Sequence, residues 1–176
     1  QDKVKKFISL HKISKEDAFV LSQEKLLADL FEKVAEEINP TLAARWLRKE
    51  LMRVVNYNKK SLNDLEIDES HLIGLLRLVE NKKITDNVAS KILEKLIEKP
   101  FDVNAFVKKE NLGAVSDVKE LKKYCEEAIK ENPQAVEDYK NGEKKALHFL
   151  VGQVMRVTKG KATPKEVNEI ILKLVK

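Results

Sequence analysis

The sequence predicts an all-α protein, with a helical domain over residues 1–112 followed by a small helical tail domain over 113–176. Three observations carry this. Apolar residues recur with a period near 3.6 almost throughout, and no segment alternates with period two for long enough to make a strand. Five glycines and four prolines in 176 residues are too few for a loop-rich or all-β chain. Three of the prolines follow a capping residue, in Asn39-Pro40, Asn132-Pro133 and Thr163-Pro164. Proline fits the first helical position because its missing N–H is not needed there.

The elements follow in order. Ser22 is placed to cap a helix whose face is Leu26, Leu27, Leu30, Phe31, Val34 and Ile38. Asn39-Pro40 starts the next, with Ala43, Trp46, Leu47, Leu51, Val54 and Val55 inward, and the turn formers of 56–61 end it. Asp68 starts a helix with Leu72, Leu75, Leu76 and Val79; Thr85 starts one with Val88, Ala89, Ile92, Leu93 and Leu96, stopped by Pro100. A short piece around Val103, Phe106 and Val107 closes at Glu110–Gly113.

Beyond Gly113, Val118, Leu121, Cys125 and Ala128 share a face. A three-helix tail follows, over 133–141, 144–158 and 163–175. Gly142 is suited to a left-handed helix end. The middle helix turns Leu147, Leu150, Val151, Val154 and Val157 inward, and the last turns Val167, Ile170, Ile171 and Leu174. Thr163, Pro164 and Glu166 spell a capping box.

The charge is uneven. Net charge is +5, and from Asp138 onward nine basic residues face four acidic ones, so the whole excess lies there. That asymmetry suggests an anionic partner for the tail, although a solvated lysine surface reads the same way from charge alone. No run of about 18 apolar residues or signal-peptide pattern is present, so neither a membrane span nor a membrane partner is expected. The start at Gln1 reads as a fragment of a longer chain. A lone cysteine, Cys125, excludes an internal disulfide framework, fits a reducing cytoplasm and reads as a core residue.

Recognisable catalytic chemistry is missing. His11, His71 and His148 have no paired ligand spacing, and there is no HExxH, CxxC, GxxxxGK[ST] or GxGxxG. No catalytic, cofactor or metal residue is assigned.

The ordered pattern Asn132-Pro133, Tyr139-Lys140 before Gly142, Leu150-Val151-Gly152-Gln153-Val154-Met155, and Lys159-Gly160-Lys161-Ala162 before Pro164 resembles the tail of the B subunit of aspartyl/glutamyl-tRNA amidotransferase. Residues 39–56 resemble the start of that subunit's helical domain. The tail is also similar to the YqeY-type module found alone or attached to some glutaminyl-tRNA synthetases, and to the tail of an archaeal E subunit, though its wording fits the B type better. The resemblance implies a helical domain and a YqeY-like tail that grip tRNA. It places ATP and magnesium in a cradle domain missing from this chain, where the misacylated Glu or Asp side chain is activated. It also implies A and C subunits as partners, the A subunit releasing ammonia from glutamine. This chain alone is then expected to be non-catalytic.

Within the tail, Lys140, Lys144, Lys145, Gln153, Arg156, Lys159, Gly160 and Lys161 are the candidate RNA-binding residues. Backbone amides near Gly160 and at the start of the Thr163 helix are expected to face a phosphate. Few aromatics accompany the lysines, so base stacking is expected to be minor. Gly152 has two readings, a tight helix crossing or a patch of backbone open to RNA. Two other classes compete with tRNA binding: a protein-interaction module whose lysines only solubilise it, and a peripheral membrane piece built on the last basic helix.

Overall fold

Helix punctuation sets the architecture. The computed structural model describes residues 2–115 and 117–176, and among these the fold is all-α, in two compact units, 1–111 and 112–176.

The first unit opens with two helices that the sequence reading did not delimit, α1 (Asp2–His11) and α2 (Lys15–Ser22). Between them Lys12 is left-handed (φ 53°), and Ser14 caps α2 by accepting from the Asp17 amide at 3.0 Å. Ser22 does not cap the next helix. It is the last residue of α2, and its hydroxyl donates to the Phe19 carbonyl. Helix α3 (Lys25–Ala35) starts at Glu24 without a side-chain cap; Leu27, Phe31 and Val34 are buried, but Leu26 is exposed. Phe7 and Phe31 meet edge to face at 5.0 Å, and the His11 ring lies edge-on to both.

Asn39 caps as expected, accepting from the Thr41 and Leu42 amides, and Pro40 is the first residue of α4 (Pro40–Arg45). The helix runs on through a π-helical segment, Trp46–Leu51, into α5 (Met52–Tyr57). Trp46, Leu47, Leu51, Val54 and Val55 are all buried, while Arg48 donates to Asp17 at 2.6 Å and Glu16 at 2.5 Å on α2. A 3-10 turn (Leu62–Asp64) leads to α6 (Glu69–Glu80) and α7 (Asp86–Glu98), capped by Asp68 and Thr85, then α8 (Val103–Lys109). The core is Leu47, Leu51, Leu75, Leu76, Ile92, Leu93 and Leu96 with the aromatic pair.

Among the described residues the second unit has four helices: the one expected around residues 118–128 and the three expected after it. Helix α9 (Val118–Glu131) contributes Leu121, Cys125 and Ala128 to the same core as α11 (Lys144–Val157) and α12 (Pro164–Val175). Leu150, Val154, Ala162, Val167, Ile171 and Val175 complete it, with α10 (Pro133–Lys140) laid on through Ala135, Val136 and Tyr139. Val118 (69% exposed) and Val157 (56% exposed), the first residue of α9 and the last of α11, lie outside it, contrary to the expected inward faces. The Val115 amide donates to the Lys161 carbonyl at 2.8 Å, tying the start of the unit to the α11–α12 turn.

Two expected caps are made differently. The Asn132 side-chain amide caps nothing in α10 and instead donates to the Ala128 carbonyl at 2.8 Å, closing α9. Thr163 precedes Pro164 as expected but makes no side-chain cap, so the capping box with Glu166 is not formed.

Candidate nucleic-acid interface

The candidate residues gather along one helix and at its two ends. Lys140 ends α10, the chain turns at Gly142 (φ 98°), and Lys144 and Lys145 begin α11. These three lysines surround one turn and are exposed. Gln153 and Arg156 lie in the second half of α11, where the Arg156 guanidinium donates to Gln153 Oε1 at 2.9 Å. Lys159, Gly160 and Lys161 form the turn after it.

That turn is a Schellman close, not an open cradle. Thr158 is buried and its hydroxyl donates back to the Val154 carbonyl at 2.8 Å. Lys159 is left-handed (φ 54°) with its amide on the Arg156 carbonyl, and the Gly160 amide reaches the Met155 carbonyl at 3.0 Å. The Lys161 amide donates to the Thr158 carbonyl. Gly160 is itself buried. The expectation that amides near Gly160 face a phosphate is therefore corrected: the helix end consumes them. Lys159 remains exposed and Lys161 half-buried. The start of α12 is different, because Thr163 leaves its first-turn amides without a side-chain cap.

Gly152 is also corrected. A Cβ built there meets nothing within 4 Å, and the residue is exposed, so it marks no helix crossing. It sits in the middle of the open face of α11. Lys145, Phe149, Gly152 and Arg156 follow one another at four-, three- and four-residue steps, which stacks them on one side of a helix. All four are exposed, as is His148 beside them. Phe149, 48% exposed on this same face, is not among the residues singled out from the sequence. Its signal was its position one helical turn after Lys145, in a helix that carries Lys144, Lys145 and Arg156 and no acidic residue.

The ion pairs separate the two units. Arg45, Arg48, Arg53 and Arg77 of the first unit are each bound to carboxylates: Arg45 to Asp86, Arg48 to Glu16 and Asp17, Arg53 to Glu50 and Glu94, and Arg77 to Glu37. The hydrogen-bonded carboxylates raise the pKa of Arg48 and Arg53 further. In the second unit, among the described residues, Lys140, Lys144, Lys145 and Lys159 have no carboxylate within ion-pair distance; Lys122–Glu126 is an exposed pair at 4.0 Å on α9. These cations are available to an external anion.

No group of three or more His, Cys, Asp or Glu among the described residues is arranged to hold a metal ion, and Cys125 is buried with its thiol pushed up to about 11 by desolvation and by Glu126. No described helix is long and apolar enough to cross a membrane.

A family model described as the GatB domain matches residues 29–175. Curated proteins named as the B subunit of aspartyl/glutamyl-tRNA(Asn/Gln) amidotransferase are similar along almost the whole chain. The one from Methanothermobacter thermautotrophicus is 43% identical over 169 residues, covering 96% of this chain and 38% of its own length. Its counterpart in Geobacillus kaustophilus is 40% identical, covering 96% and 36%. That of Methanococcus maripaludis is 36% identical over 181 residues, covering 99% and 39%. The chain thus spans well under half the length of the curated relatives it matches.

Proposed function

The chain belongs to the GatB-domain family, and from that premise we propose that it is the tRNA-gripping, non-catalytic helical and tail part of an amidotransferase B subunit. In the whole enzyme, glutamate or aspartate misacylated onto tRNA is converted to its amide with ATP and glutamine-derived ammonia. The cradle that uses ATP and magnesium lies outside these residues, and no cluster among the described ones fits a metal. The observation that carries the reading is the cationic surface of the second unit: Lys140, Lys144 and Lys145 at one end of α11 and Lys159 at the other, none in an ion pair among the described residues, with Arg156 along it hydrogen-bonded to Gln153. Helix α11 is about 21 Å long, so these residues follow an RNA backbone over several phosphates. Such contacts position RNA by shape and charge. The uncapped start of α12 adds a place for one more phosphate.

Exposed Leu10, Phe19 and Leu26 on α1, α2 and α3 supply apolar surface for protein contact, which suits partner subunits of A and C type. A cytoplasmic site goes with this reading.

The test is a titration of the full chain with tRNA at several salt concentrations. Log affinity should fall linearly with log salt, and Lys144→Ala with Lys145→Ala should flatten the slope by roughly 0.7–0.9 for every phosphate no longer held. No salt-dependent binding would sink the reading.

A further inference from the structure

We propose that an unpaired nucleotide of the bound RNA stacks on Phe149 while its sugar-phosphate backbone crosses α11 at Gly152, between Lys145 and Arg156; this rests on the tRNA-binding reading above. A mid-helix glycine weakens a helix. Packing within the chain does not call for one here, since a Cβ at Gly152 meets nothing within 4 Å. The space that the missing side chain leaves open is therefore outside the molecule. Phe149 lies one turn before it and Arg156 one turn after it, and Lys145 one turn before Phe149, spanning about 16 Å of helix. The half-exposed ring is an aromatic flanked on its own helix by cations, with no acid in α11.

That combination fits single-stranded nucleic acid, in which bases stack on aromatic rings and cations follow the backbone. A protein helix would ask for a continuous apolar stripe instead, and Gly152, His148 and Arg156 interrupt one. The groove of about 500 Å³ that Phe149 shares with α10 is bordered by Glu131, Asp138 and Glu143 as well as Lys145. Those carboxylates repel phosphates, so the backbone is directed along Gly152 and Arg156 rather than into the groove.

The experiment uses the full chain and a tRNA transcript, with affinity, salt slope and melting temperature measured together. Phe149→Leu should weaken binding roughly 5- to 150-fold, the range for losing one base–aromatic stack, and leave the salt slope unchanged. Phe149→Trp should retain wild-type affinity or exceed it. Gly152→Leu should weaken binding at least about tenfold without lowering the melting temperature, because nothing inside the molecule opposes the new side chain. Arg156→Gln should flatten the salt slope. If tRNA binds the wild type and both Phe149→Leu and Gly152→Leu bind equally well, the stacking site is wrong while the cationic reading stands, and this face serves a protein. A wild-type chain that binds no tRNA overturns both.

Discussion

At Gly152 the effect of a side chain on stability can be measured apart from its effect on the proposed RNA contact, since a Cβ there meets nothing within 4 Å. Replacing Gly152 with Ala removes the conformational freedom of glycine from the middle of α11 and meets open space. The substitution should stabilise the second unit by about 1 kcal/mol, the helix-propensity difference. A differential denaturation midpoint checks this, and a destabilised Gly152→Ala would restore the helix-crossing reading. The sequence showed that this glycine needed a reason, but not which one. A wheel assigns direction only relative to the neighbours of the helix, and both faces next to Gly152 carry apolar residues. Cys125 was simpler, because its i, i+3 and i+4 neighbours are the core itself. Its thiol is held up to about 11 from an ordinary 9.0 by burial, with Glu126 adding to the shift. The folded state then holds a proton that the unfolded state loses first. The stabilisation is fully present below about pH 9 and is lost as pH rises toward 11, at most by about 2–3 kcal/mol. Denaturation midpoints between pH 8 and 11 should fall, and Cys125→Ala, though less stable from its cavity, should fall less steeply.

At the scale of elements, the ends of helices were harder to read than their interiors. Among the described residues, five non-glycine residues are left-handed: Lys12, Lys59, Lys82, Asn111 and Lys159, each just past a helix. At Lys59, Lys82 and Lys159 the paired bonds of a Schellman motif are made, as for Lys83 to Leu78 at 2.8 Å. A left-handed lysine costs roughly 1–2 kcal/mol, part of which its charge recovers at the negative end of the helix dipole. Glycine is the residue the sequence advertises at such ends, as Gly142 does, whereas Lys159 suggests only an electrostatic role. Lys82→Gly should therefore leave the first unit as stable as before or up to about 1 kcal/mol more so, and a clear loss in its thermal midpoint would show that the dipole term dominates. Asp68 is the reverse case, legible and correct. It accepts from the Ser70 and His71 amides, and its pKa is lowered first by the Ser70 hydroxyl. Asp68→Ala should cost about 1 kcal/mol at neutral pH. The difference should vanish as pH falls below the ordinary carboxylate range, since a depressed pKa stabilises only while the group is ionised. The π segment was invisible to a 3.6 period: it still turns Trp46, Leu47 and Leu51 inward, so the apolar pattern is unbroken where the hydrogen bonding changes.

For the whole molecule, the two compact units differ in how they use charge. The arginines of the first are tied into ion pairs, several bridging helices about 40 residues apart in sequence, as Arg77 to Glu37 at 2.6 Å and Arg45 to Asp86 at 3.3 Å. Most of the lysines at and around α11 are not. This asymmetry was legible in the tally from Asp138 onward, but composition did not reveal that the first unit's arginines were already committed. If tRNA is held through the second unit, a chain ending at Asn111 should keep its helical circular dichroism, because its core is self-contained. It should also lose most of its tRNA affinity and most of its salt slope. Residues 112–176 should retain both, provided that the four-helix core around Leu121, Cys125, Leu150, Val154, Val167 and Ile171 folds alone. Lys159→Ala with Lys161→Ala in the full chain gives an independent measure. Each phosphate released should flatten the slope by roughly 0.7–0.9, equally for different tRNAs, since the phosphate backbone carries no base information. Lys159→Gly keeps the turn and removes the same cation, so it should flatten the slope by the amount due to a single phosphate without loss of stability. A chain ending at Asn111 that binds tRNA as well as the full chain would instead move the grip to the first unit, where cations such as Lys12, Lys59 and Lys82 would become the next to change.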